Sequence, residues 1–141
     1  MSKLVLDNNE NFDGIVEKLI INNDERKTTI IIKQWNNEKT YSLSALEFEN
    51  VIFQSLPDIG SFNLIREIDK REQLESVLTE FSNYVKDNPT LILSDTEKNI
   101  SNNISNLNSV QSYLFESGYC KDWFIVCEGM TLKEIKNVKN R

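Results

Sequence analysis

Few residue pairs in this chain have types and spacing that can do chemistry. Glu47 and Glu49 sit two apart in an alternating segment. On a strand they share a face, about 6–7 Å apart along the chain. Two carboxylates at that separation can run acid–base hydrolysis when something raises one pKa. Nothing in the flanking residues does so. Glu72 and Glu75 are three apart where a helix is expected and can approach one cation, but no further ligand accompanies them. Cys120 and Cys127 are the two thiols, and the chain has no histidine. A cysteine nucleophile therefore lacks its usual base. Histidine triads, histidine metal sites and histidine pH switches are excluded outright. Gly14, Gly60, Gly118 and Gly129 are scattered, so no phosphate-cradling loop exists. The residues assign no catalytic group, no metal site and no cofactor. They read as a non-enzyme that binds something.

Charge is the stronger signal. The chain has 141 residues, 16 Lys or Arg against 22 Asp or Glu, and a net charge of −6. Residues 47–97 carry eleven acids against four bases, which puts −7 in that segment and +1 in the rest. Within it Glu67, Asp69, Glu72, Glu75 and Glu80 follow one another closely. Such a patch steers a basic partner. It disfavours direct nucleic-acid binding, which leans on Lys and Arg against phosphates. Trp35 and Tyr119 stand at the ends of expected hairpins, where an aromatic ring can anchor a protein interface. Most of the other aromatics fall in or beside expected strands and read as core.

The elements that position these residues are mostly strands. Thr28–Lys33 holds five β-branched residues in succession and is the clearest strand. Phe12–Ile21 precedes it across an Asn22-Asn23-Asp24 turn, with Ile15, Glu17, Leu19 and Ile21 expected on one face. Lys39–Leu43 and the segment from Leu46 follow, with Leu46 and Phe48 on one face and a bend expected near Asn50. Phe62–Ile68 is a further strand candidate. The period then changes. Asp69 with Glu72 has capping-box spacing, and Leu74, Val77, Leu78, Phe81 and Val85 form one helical stripe over about 70–86. Asn88-Pro89 ends it. A second, weaker helical stripe runs through Ile100, Ile104 and Leu107. Val110–Ser117, Trp123–Glu128 and Thr131–Val138 return to strands. Trp123, Ile125 and Cys127 face one way and Phe124 and Val126 the other, so that strand belongs inside a sheet with cover on both sides.

This length forms one domain over residues 1–141 with a helical insertion at about 69–108. The expected fold class is α+β: a β-dominated, curved antiparallel sheet or half-barrel with one main helix in a central insertion. No apolar run is long enough to span a membrane, and no secretory signal opens the chain. Two cysteines are not a secreted disulfide framework. These features predict a cytoplasmic protein that engages no membrane.

The opening Phe12-Asp13-Gly14-Ile15-Val16, then Lys27–Trp35 and Tyr41–Phe53, and the closing Trp123–Glu128 with Leu132 and Ile135 resemble small bacterial immunity proteins of polymorphic or contact-dependent toxin systems. The resemblance covers roughly 12–56 and 110–136 and leaves out the helical insertion. It implies a protein that binds and neutralises a cognate toxin domain by occluding its active site or substrate path. A basic nuclease is one toxin that fits the acidic segment. In that reading Glu67, Asp69, Glu72, Glu75 and Glu80 steer, and Trp35 and Tyr119 anchor. Two alternatives stay open. One is a homo-oligomeric structural or regulatory protein, paired through the strand at Thr28–Lys33. The other is a small-molecule binding module, since a curved sheet can enclose a pocket.

Overall fold

The computed structural model describes residues 2–3, 14–35, 38–57, 63–88, 109–117 and 121–139. In chain order the elements are β1 (Ser2–Lys3), β2 (Gly14–Asn22), β3 (Lys27–Trp35), β4 (Thr40–Glu49), β5 (Phe53–Ser55), β6 (Leu64–Ile65), β7 (Glu67–Glu72), α1 (Leu74–Asp87), β8 (Gln111–Glu116), β9 (Trp123–Cys127) and β10 (Gly129–Lys139). The fold is α+β and β-dominated, a curved antiparallel half-barrel with one main helix in a central insertion.

Two bent strands make the curve. β4 runs into β5, and β9 runs into β10 with only Glu128 between them. The bends lie side by side, because Glu49 pairs with Gly129 and Phe53 pairs with Val126. Backbone hydrogen bonds from Ile52 N to Val126 O (2.8 Å) and from Glu128 N to Glu49 O (3.2 Å) carry the ladder round the corner. Asn50, at φ 49°, takes the left-handed turn there, a conformation asparagine tolerates. The expected bend at Asn50 is thus present. It divides the hydrogen-bonded strands into two sheets, β1-β7-β8-β9-β5 and β10-β4-β3-β2-β6.

The sheets face each other across the main core. Ile30, Ile32, Leu46 and Phe48 from one meet Tyr113, Phe115, Trp123 and Ile125 from the other. The Phe48 ring stands edge-on to Tyr113 at 5.1 Å and to Phe115 at 5.9 Å. Each such side chain contributes about 1.5–3 kcal/mol by leaving water. A second core lies on the far face of the β8–β9 sheet, where Val77, Phe81 and Tyr84 of α1 cover Val110, Phe124 and Val126. β9 is buried at all five positions. It has the two-sided cover that its alternation predicts.

Several local expectations shift. A bulge between Val16 and Lys18 changes the phase of β2. Val16 and Leu19 therefore pack inward, and Ile15 and Glu17 do not share their face. Lys39–Leu43 and the segment from Leu46 form one strand, β4. The Asp69–Glu72 capping box does not form, because both residues lie in β7, paired with Leu114 and Gln111 of β8. The helix starts after Gln73, which makes no side-chain cap, and it ends at Asp87 before Asn88. The stripe through Ile100, Ile104 and Leu107 lies outside the described residues.

Candidate functional site

The acidic segment is built by β7 and α1. Alternation along β7 puts Ile68, Lys70 and Glu72 opposite Phe115, Tyr113 and Gln111, and Glu67, Asp69 and Arg71 opposite Glu116, Leu114 and Ser112. The second set shares its face with α1. There Arg71 Nη2 meets Glu80 Oε2 at 2.8 Å, and Arg71 Nε lies 3.9 Å from Asp69 Oδ2. Glu80 and Asp69 are both buried. Burial pushes the Glu80 carboxyl up and Asp69 adds to that push, while the Arg71 guanidinium opposes it. This ion cluster ties the helix to the sheet. Glu80 therefore offers no free charge to a partner.

Glu72 is exposed and pairs with Lys70 Nζ at 3.0 Å. Glu75 is exposed in the first turn of α1, where a negative charge complements the helix dipole. The two stand on different elements, so the expected helical pair of Glu72 and Glu75 is not formed. Glu67 faces Glu116 across the ladder. Of the five acids, Glu72 and Glu75 present the most open charge.

Trp35 ends β3 on the outer face of the other sheet, paired with Tyr41 of β4. The indole is 44% exposed. Its ring lies edge-on to Tyr41 at 5.1 Å, and Lys33 Nζ sits 4.8 Å from the Trp35 ring centre and 4.3 Å from that of Tyr41. Each cation–π contact contributes about 0.5–1 kcal/mol at an exposed site. The cluster fixes the indole while leaving it open. Ile31 and Leu43 continue this face as half-buried residues, and among the described elements no helix covers it, since α1 packs on the opposite sheet. Trp35 and the helix-side acids Asp69, Glu75 and Glu80 thus stand on opposite sides of the molecule. Tyr119 lies outside the described residues.

Of the remaining chemical candidates, Glu47 and Cys127 have structural roles. Glu47 pairs with Lys133 at 3.4 Å, and Glu49 is exposed at the sheet corner. Cys127 is fully buried, and burial pushes its thiol up to about 12, against a weaker lowering by the Gly129 backbone. Cys120 lies outside the described residues. Among the described residues no group of three or more His, Cys, Asp or Glu can hold a metal ion. No helix among them is long and apolar enough to cross a membrane.

The sequence did not single out two features. Gln34 is buried beside Ser42, and neither of its amide atoms has a hydrogen-bond partner among the described residues. The β3 alternation that buries Ile30 and Ile32 marks it as inward-facing. The second is a cavity of about 220 Å³ at the sheet corner, between the β2–β3 turn and the β4–β5 bend. Only the pairing of distant segments brings its walls together. Compared with known proteins, the chain matches no family model, no curated protein and no solved structure.

Proposed function

We propose that this chain is an immunity-type inhibitor that binds a bacterial toxin domain and blocks its active site or substrate path. The observation that carries the reading is the outer face of the β10-β4-β3-β2-β6 sheet, which no described helix covers, with Trp35 held open by Tyr41 and Lys33. A rigid, half-exposed indole loses little freedom on binding and supplies a large contact. The resemblance of residues 12–56 and 110–136 to immunity proteins points the same way. Because neither acid stands beside it, Trp35 anchors the complex, and Glu72 and Glu75 act at longer range by steering.

The test is co-expression with a toxin domain encoded beside this gene. The expected result is restored growth and a one-to-one complex on size exclusion. Trp35→Ala should weaken that complex by about 2 kcal/mol, roughly thirtyfold, without lowering the melting temperature. Undiminished toxicity in the presence of the folded chain overturns the proposal. Full affinity in the Trp35 variant moves the interface away from this face.

A further inference from the structure

We infer that the corner cavity is a binding site for a small organic anion, a carboxylate or phosphate monoester on an apolar body. The site is separate from the toxin-binding reading and does not depend on it.

The lining sets the chemistry. Arg26 and Lys27 are among the lining residues, and no described Asp or Glu is, although the chain as a whole carries −6. Among the described residues no carboxylate pairs with Arg26. Among the described residues Lys27 has only Glu25, at 3.8 Å, and both side chains are more than half exposed. Such a pair holds the lysine weakly.

The neutral polar groups in the wall are biased toward donation. Asn22 Oδ1 accepts the Glu25 backbone N–H at 3.2 Å, and because that N–H can only donate, the amide orientation is fixed. Gln54 Oε1 accepts the Thr28 hydroxyl at 2.6 Å. Both amides thus spend their oxygen on the protein and keep their NH2 groups as donors. Ile21, Val51 and Phe53 add apolar wall. Ile21 is 43% exposed, although its pairing with Thr28 puts it on the inner side of β2. Amide donors, bordering cationic residues and an apolar wall select an anionic head with a greasy body.

The backbone builds this corner at a cost. Arg26 adopts φ 54°, a left-handed conformation that arginine disfavours. Its carbonyl accepts Val51 N–H at 2.8 Å, which locks the β2–β3 turn against the β4–β5 bend. Two of the three described non-glycine residues with positive φ, Arg26 and Asn50, flank the cavity. Strained backbone such as that at Arg26 clusters where a ligand is held.

The test is amide chemical-shift titration of the full chain with phenyl phosphate, with benzoate, and with neutral benzyl alcohol. The expected result is saturable shifts at Asn22, Arg26, Lys27 and Gln54 with the anions at millimolar concentration, and none with the alcohol. The tighter of the two anions identifies the head group. Arg26→Asn removes the charge yet tolerates the left-handed turn, and it should weaken binding about tenfold. Gln54→Glu keeps the oxygen for Thr28, adds a negative charge and should weaken it at least as much. The spectra of both variants report their own folding. Three results overturn the inference: no saturable shift at these amides, equal shifts with benzyl alcohol, or unchanged affinity in a folded Arg26→Asn chain.

Discussion

Glu67 and Glu116 stand directly opposite each other where β7 meets β8. Burial raises the Glu116 carboxyl from its ordinary 4.5, and Glu67 raises it further through a hydrogen bond and through its charge. The folded chain therefore holds this proton more firmly than the unfolded chain. Stability from this group is complete below 4.5, where both states are protonated, and is lost as pH rises through the folded pKa. Glu116→Gln removes the repulsion. It should raise stability at neutral pH by a few tenths of a kcal/mol and at most about 1 kcal/mol, since both carboxylates are partly exposed and screened. The gain should vanish in acid. Urea unfolding at the two pH values measures it, and a variant less stable than the parent at neutral pH contradicts a mutually repelling pair. Glu67 was visible in the sequence as one acid among many. Its partner was not, because only strand pairing brings the two together. The same holds for Glu80, whose helical position was readable while its burial against Arg71 was not.

Gln73 joins β7 to α1 at φ 70° and ψ 137°. That region is costly for any residue with a Cβ, on the order of 1–3 kcal/mol. Gln73 also makes no side-chain cap for the helix that follows. Glycine relieves the first problem and worsens nothing at the second. Gln73→Gly should therefore stabilise the chain by about 1 kcal/mol, visible as a higher melting temperature in calorimetry. An unchanged or lower value would falsify the strain. This junction shows why the helix start was misread. Asp69 and Glu72 have capping-box spacing, but the same residues alternate acceptably on a strand. The β8 ladder satisfies their backbone groups better than a cap can. Tertiary pairing decides such cases, just as the β2 bulge decides which residues face inward. The stripe Leu74–Val85 and the two-sided β9 were legible because each fits one period and one burial pattern.

The whole molecule is organised by the corner where β4–β5 and β9–β10 bend together. One layer of side chains locks the two sheets, and another locks the helix onto the β8–β9 sheet. Curvature was readable from the Asn50 bend. The cavity at the corner was not, since its walls come from segments far apart in sequence. Cys127 tests how far this assembly acts as one unit. It closes β9 beside the bend, belongs to the core between the sheets and is fully buried. With its thiol pushed up to about 12, almost no thiolate exists at neutral pH. Alkylation of Cys127 should therefore wait for the sheets to separate. Its rate in iodoacetamide, followed by peptide mass spectrometry to distinguish it from Cys120, should rise with urea at the slope of global unfolding. A shallower slope would mean that the corner opens locally while the rest stays folded. In that case the two sheets are separate cooperative units joined by a hinge at Asn50 and Glu128. The matching slope makes the two sheets one cooperative unit.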